Sequence, residues 1–570
     1  MTTTTTDEGP FSSRGLLRFV DYASAAHWRA VLCLVALCLL AFLPGFTGIP
    51  PVDRDEARFA QATKQMLETG DYVDIHFQDE VRYKKPVGIY WLQAAAVKTA
   101  AALGIHSPRT RIWFYRFPSL FGAIGGVLMT YWAALAFVRR RAALLAAAMM
   151  ACSVLLSVEA RLAKTDAVLL FTAVAAMGAL ARVYLAQRRL PGADPGWTDP
   201  AIFWTALAGG MLVKGPVILM VAGLAIVTVA ILDRSARWLL ALRPVLGLIW
   251  FALLVAPWFI AILSKSGETF IADSVGHDML SKIFSGQESH GAPFGTYFLL
   301  FWVTFWPGCV LAGLAAPSVW RTRKIPEHRF LLAWLVPSWI VFELVATKLP
   351  HYVLPLYPAI AILIAGVIER GTMLRGRLEF GLIGWLIYPV AVSLIALVGY
   401  IMLGGGLGLV AWPFAAAAVI MGLVAWRLYD LDGAAHSLLR GCAAALLVNG
   451  MVFGLLIPAL PDLFPSKLIA DELHDAGCAN PQVAAVGFQE PSLVFLLGTG
   501  TRLTDASGAV DFLKNGRCRF AVVDSRSERS FARFAQAGGL FYSPMPRIDA
   551  INISNGRAVS IAIFRAGPAP

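Results

Sequence analysis

The stretch VDRDEARFAQATKQMLETGDYVDIHFQDEVRYKKPVGIYW, Val52 to Trp91, concentrates acids, bases and aromatics directly behind a long apolar run. The rest of the chain is different. Of 570 residues 58% are hydrophobic and 15% charged, with a mean hydropathy of +0.66, so most of the chain has lipid rather than water as its solvent. Runs such as Ala30–Leu43, Leu120–Val138 and Phe251–Leu263, with their flanks, approach the roughly 20 residues that cross a hydrocarbon core as helix. A polytopic α-helical membrane protein is expected. The first run lacks a small-residue cleavage site and ends in Pro-Gly and Pro-Pro, the pattern of a retained anchor rather than a removed signal peptide. Val52–Trp91 is then the first loop outside the membrane.

The net charge of +12 does not point to nucleic acid, because the basic residues fall in short clusters between apolar spans. They set topology. In order they are Arg14 and Arg18; Arg139 to Arg141; Arg188 and Arg189; Arg234, Arg237 and Arg243; Arg321, Arg323 and Lys324; Arg370, Arg375 and Arg377; and Arg427. Two spans separate each from the next, so all lie on the cytoplasmic side. With Ser437–Leu456 as the last span, about thirteen spans follow, with the N-terminus inside and the C-terminus outside. The expected organisation is a cytoplasmic segment 1–28, a membrane domain 29–460 with its outer loop at 50–90, and an extracytoplasmic domain 461–570.

Past Pro458, charged and turn residues recur every few positions. VAAVGF, LVFLL and RFAVVD read as short buried strands, and Lys467–Ala476 and Arg529–Ala537 have helical spacing, so a small soluble α/β unit is expected. Of the seven cysteines, Cys478 and Cys518 fall in this tail, either as a disulfide or as two buried thiols. No metal-ligand spacing occurs among the seven.

In the opening stretch, Asp53 followed by Glu56 fits a capping box, Arg54–Glu68 has apolar residues at helical spacing, and Gly70 suits a terminator. Asp55 is surplus to that box. Arg58, three residues on, shares its face. A carboxylate at a helix N-terminus beside an arginine stays ionised, which suits a base or an electrostatic stabiliser better than a proton donor. Tyr90 and Trp91 read as an interfacial belt, as do Lys214 and Lys348 as snorkelling lysines. Lys85 does not, since outer loops have no topological need for a cation. The other outer segments carry Arg161, Lys164 and Asp166, then Lys214, then His277 and Lys282, then Lys348. Both signs of charge beside aromatics suit a charged, partly lipidic ligand.

Asp-Glu-Ala-Arg at 55–58, Tyr-Lys-Lys-Pro-Val-Gly-Ile-Tyr-Trp at 83–91, Lys164-Thr-Asp166, Lys214-Gly-Pro and Lys-Leu-Pro-His-Tyr at 348–352 resemble the membrane glycosyltransferases of the aminoarabinose transferase and protein mannosyltransferase superfamily (GT-C fold). The resemblance runs over roughly residues 30–460. It implies transfer of a sugar from a polyisoprenyl-phosphate donor to a lipid or glycan acceptor on the outer face of a bacterial inner membrane. It makes Asp55 and Asp166 the catalytic acids, and Lys85, Arg58, Tyr352, Lys282 and His277 the surroundings of the donor phosphate, with Tyr83, Lys348 and Glu56 in support. Lys84 stands where relatives usually have Glu, which removes one ligand of the divalent metal ion the family implies; no other cofactor follows. His351 stands where aminoarabinose transferases commonly have Thr, which argues against the same donor sugar.

Two other classes fit a polytopic basic chain. A transporter would place ionisable groups and broken helices near the midplane. A noncatalytic envelope scaffold would leave Asp55 and Lys85 without a task.

Overall fold

The chain is seen as a computed structural model that describes residues 13–267, 270, 291–373 and 382–567, apart from Pro191, Ala193, Pro195, Ala479 and Arg517. Helices dominate up to Ala459. Six of the described helices are long and apolar enough to cross a membrane, and eight if two bent pairs each count as one span. One bent pair, Thr296–Thr304 with Cys309–Arg321, turns by 119° around Pro307, whose ring and missing N–H interrupt a helix.

The helices Ile112–Ala134 and Asp166–Arg189 pack closely along their lengths. Gly122 and Gly126 make that possible: a Cβ at Gly122 would lie 2.7 Å from the backbone nitrogen of Val168, and one at Gly126 2.9 Å from the Leu170 side chain. Small residues four apart let membrane helices approach backbone to backbone. The consequence is positional, because Asp166 at the start of one helix is brought beside Ser119 on the other, whose hydroxyl donates to the Lys164 carbonyl at 3.0 Å.

The basic clusters meet at one end of the bundle. Arg141 pairs with Asp21 at 3.3 Å, the Arg139 N–H donates to Glu369 at 3.0 Å, Arg370 donates to His328 at 2.7 Å, and Arg329 and Arg188 both reach Asp233. All of the loops expected to share a side except that of Arg427 are represented in these contacts. The Asp55 helix, Lys164, Lys214 and His351 gather at the other end.

Residues Pro465–Ala566 form a separate α/β layer arrangement. The strand Gln482–Val486 pairs in parallel with Arg502–Thr504 and Arg519–Asp524, and Arg519–Asp524 pairs antiparallel with Arg557–Ala566. Apolar clusters cover both faces. Two expected strands and both expected helices are present, but LVFLL is not a strand. It lies in the helix Pro491–Leu497, because Pro at the first turn and Gly498 just past the end specify a helix, and a short apolar run by itself does not distinguish the two. Cys478 and Cys518 are joined as a disulfide, with Cα atoms 6.0 Å apart. Gln482, four residues past Cys478, and Arg519, immediately after Cys518, are register partners, which brings the two thiols together.

Candidate active site

The first loop is fastened from beneath by two buried arginines. Arg116, fully buried in the helix Ile112–Ala134, donates to the carbonyls of Phe46, Ile49 and Pro50 and, at 2.7 and 2.9 Å, to both oxygens of Glu56. Arg161 donates to the carbonyls of Ala41, Pro44 and Ser157. The last carbonyls of a helix lack intrahelical partners and carry partial negative charge, so cations belong there. Neither arginine's partner can be read from spacing.

The loop helix runs Asp55–Thr69 and ends on Gly70 at φ +75°, in line with the expected terminator. Its start differs from the expected capping box. Glu56 does reach back, accepting the Val52 N–H at 2.8 Å, and also accepts the Ala163 N–H at 2.9 Å. Asp53 does not cap; its carboxylate accepts the Ser492 N–H at 3.0 Å from the tail. The chain turns through Arg54 at φ +66°, a conformation that costs an L-residue about 1–3 kcal/mol and is held by these flanking bonds.

Asp55 and Arg58 are half-buried, and neither side chain has a hydrogen bond or ion pair among the described residues. The other expected acid is fully engaged. Asp166 is paired with Lys214, lies 3.9 Å from Lys164 Nζ and 3.7 Å from His351 Nε2. His351 Nδ1 is 3.5 Å from Glu159, which also takes Lys164 at 3.3 Å. Burial weakens the Lys164 ammonium, but the carboxylates of Glu159, Asp166 and Asp55 more than reverse this and hold it above its usual pKa. Lys85, half-buried, donates to the Lys84 carbonyl at 2.9 Å and is close enough to His351 to interact with it electrostatically. The Tyr352 ring sits 5.1 Å from Lys214 Nζ. Asp55, Lys85, Asp166 and Tyr352 are therefore joined through one charged group.

Several expectations change. Lys214 does not snorkel: its side chain is buried against Asp166, because a buried carboxylate requires a cationic partner. Lys348 donates to the carbonyls of Ala292 and Val345 at 2.9 and 2.7 Å and braces a turn. Tyr83 is buried, with its hydroxyl on Asp74 at 3.0 Å and its ring 5.4 Å from Phe270. His277 and Lys282 lie outside the described residues. Glu159 is the group that sequence reasoning missed; an acid embedded in an apolar run was the available signal.

Glu159, Asp166 and His351 present ligand atoms within 4.8 Å of one another, the spacing of a metal site. The donor set does not fit one. Lys164 and Lys214 already neutralise both carboxylates, and a divalent cation would have to displace two buried ammonium groups.

The tail closes over the loop helix. Gln61 donates to Thr499 at 2.8 Å, Lys64 to the Phe495 carbonyl at 2.9 Å, and Thr499 to Glu68 at 2.6 Å. Burial in this contact pushes the Asp53 carboxyl up to about 7, against the opposing bonds from Ser492. A carboxyl whose pKa is raised on folding stabilises the protonated, low-pH form, and that contribution is lost as pH rises from the ordinary value of about 4 through 7. Thermal unfolding of detergent-purified protein across that window should show wild type losing stability relative to Asp53→Asn as pH rises. Parallel profiles would remove Asp53 as the cause.

The chain matches the family described as dolichyl-phosphate-mannose-protein mannosyltransferase over residues 32–266, which include Asp55, Lys85, Asp166 and Lys214. Similar proteins include the undecaprenyl phosphate-alpha-4-amino-4-deoxy-L-arabinose arabinosyl transferases of Pectobacterium atrosepticum, 26% identical over 80% of this chain and 78% of the relative, and of Erwinia tasmaniensis, 29% identical over 64% of each. The second match spans less than two thirds of that relative. Among solved structures, ArnT from Cupriavidus metallidurans in the apo state aligns with a TM-score of 0.73 at 19% identity, over 93% of this chain and 97% of that one. The same protein bound to undecaprenyl phosphate aligns at 0.71 and 20%. At these identities the shared property is the fold.

Proposed function

We propose that this chain, which belongs to the superfamily of aminoarabinose transferases and protein mannosyltransferases, is a multi-pass membrane glycosyltransferase that moves a sugar from a polyisoprenyl-phosphate donor to an envelope acceptor. The acceptor is a lipid A-like lipid, a polysaccharide or a protein. The observation that carries this is the Asp55 carboxylate, which has no hydrogen bond or ion pair among the described residues, beside a buried charged group at one end of the bundle.

With its carboxylates ionised, the site sets Asp55, Glu159 and Asp166 against Arg58, Lys85, Lys164 and Lys214, leaving one positive charge. A sugar phosphodiester brings one negative charge. As the bond from the sugar carbon to the phosphate oxygen breaks, the phosphate gains a second, so cations here are worth more in the transition state than in the ground state. Asp55 takes the proton of the incoming acceptor hydroxyl, whose oxygen attacks the sugar carbon opposite the leaving phosphate. One displacement inverts that carbon, and no covalent intermediate forms.

The thirteen-span arrangement, with segment 1–28 in the cytoplasm, the membrane domain at 29–460, the catalytic loop at 50–90 and the domain 461–570 in the periplasm of a bacterial inner membrane, belongs to the same proposal. It counts shorter apolar helices, such as Val217–Asp233 and Trp412–Arg427, as spans. The Cys478–Cys518 disulfide supports an oxidising compartment for the tail. A transporter is disfavoured by the gathering of the charged group at one end.

Reconstituted protein given a polyprenyl-phosphate sugar should release polyprenyl phosphate and label the acceptor. Release without an acceptor product, or no release at all, would count against transfer. Lys85→Ala should weaken donor affinity by about 100-fold, since a phosphate charge drawn into a partly dehydrated site and left without its cation costs roughly 3 kcal/mol. Lys85→Arg should recover only part, because a planar fork does not occupy the place of a compact ammonium. Lys84→Ala, at an exposed position, is the control; equal losses at 84 and 85 would mean a diffuse basic surface.

A further inference from the structure

At the end of the bundle opposite Asp55, a cavity of about 620 Å³ opens among Arg188, Asp233, Arg237, Trp238, Leu240 and Arg243. It is remote from the donor site. Arg188 and Asp166 stand at opposite ends of one helix, Asp166–Arg189, and at 1.5 Å per residue its 24 residues rise about 36 Å, more than the roughly 30 Å of a bilayer's hydrocarbon core.

The cavity's acids are already committed. Asp233, buried, accepts from the Tyr184 hydroxyl at 2.8 Å and pairs with Arg329, with Arg188 at 3.9 Å. Asp194 takes Arg243 at 3.1 and 3.3 Å, and Arg243 also lies 3.5 Å above the Trp197 ring. The Arg237 guanidinium has no hydrogen bond or ion pair among the described residues. Among the described residues Arg188 has only the 3.9 Å approach to Asp233, and its side chain is 45% exposed. Two guanidinium forks are thus left for an anion of bidentate geometry, which is what phosphate offers.

The apolar neighbours decide what kind of phosphate. Leu240, which lines the cavity, and Leu190, Leu232 and Val245, each within two residues of a lining residue in sequence, are 71%, 69%, 57% and 71% exposed, and on a membrane protein large exposed aliphatic side chains face acyl chains. A ligand that meets both surfaces carries an anionic head and apolar tails. We infer that this cavity is a binding site for the phosphate headgroup of an anionic phospholipid in the leaflet opposite the catalytic face.

The test uses the full chain in nanodiscs or detergent, with native mass spectrometry counting retained lipid. Phosphatidylglycerol or cardiolipin should be retained over phosphatidylcholine. Arg188→Ala and Arg237→Ala should each weaken retention about fivefold, the factor for one cation at an anionic surface. Arg427→Ala, another exposed arginine outside the cavity, should leave it unchanged. Circular dichroism of each variant confirms that it remains folded. Three results would overturn the inference: equal retention of phosphatidylcholine, equal losses in Arg427→Ala, or displacement of the bound lipid by millimolar inorganic phosphate, which would assign the cavity to a soluble phosphate compound.

Discussion

Asp55→Asn should abolish sugar transfer, with turnover falling by about 100-fold or more, the range that a positioned proton acceptor contributes. The substitution is nearly isosteric and removes only the charge. Asp55 has no hydrogen bond or ion pair to lose among the described residues, only its attraction for Lys164, so the folded amount and the gel-filtration profile should be those of wild type and the unfolding temperature should fall far less than in a variant that breaks an ion pair. The adjacent acid behaves differently. Asp166 is tied to Lys214, Lys164 and His351, so Asp166→Asn strips a buried ammonium of its partner and should lower stability together with activity. Comparing the two variants for turnover and for thermal unfolding separates chemistry from scaffolding. Wild-type turnover in Asp55→Asn would end its role as the base and move that role to the Asp166 group.

Glu56→Ala should be the most destabilising single change in the first loop. Four donors converge on that carboxylate: two nitrogens of Arg116 and the N–H groups of Val52 and Ala163. Removing it leaves the fully buried Arg116 with an uncompensated charge, a loss of about 3–5 kcal/mol. The unfolding midpoint in detergent should fall well below that of wild type, and transfer should fall with it, because Asp55 is the next residue along. Replacing both partners with apolar residues of similar volume, Glu56→Leu with Arg116→Met, should recover part of the lost stability, since no charge is then stranded. An unchanged midpoint in Glu56→Ala would mean that water already solvates Arg116.

The fold class was legible because it rests on local quantities. Apolar run length set the membrane class, the spacing of basic clusters set which loops share an end, and Asp55 to Gly70 carried its own helix period and terminator. The same holds for the tail strands Gln482–Val486 and Arg519–Asp524. LVFLL was misread because a five-residue apolar run satisfies either period, and only its flanking Pro491 and Gly498 settle it.

The sequence by itself determined which residues are polar in an apolar chain and made Asp55 and Lys85 candidates for the site, with Asp166 and Tyr352 added by the family resemblance. Only the tertiary structure decided what each of them is doing. That Asp166 is engaged depends on Lys214, 48 residues away, and that Glu56 is a structural anchor depends on Arg116, 60 residues away. The same is true of Asp53, which caps nothing and instead meets Ser492 across 439 residues. Such pairings are set by how closely helices approach, through contacts like Gly122 on Val168. A charge buried in a low dielectric must find whichever opposite charge the packing brings within a few ångströms, and sequence spacing does not record that distance.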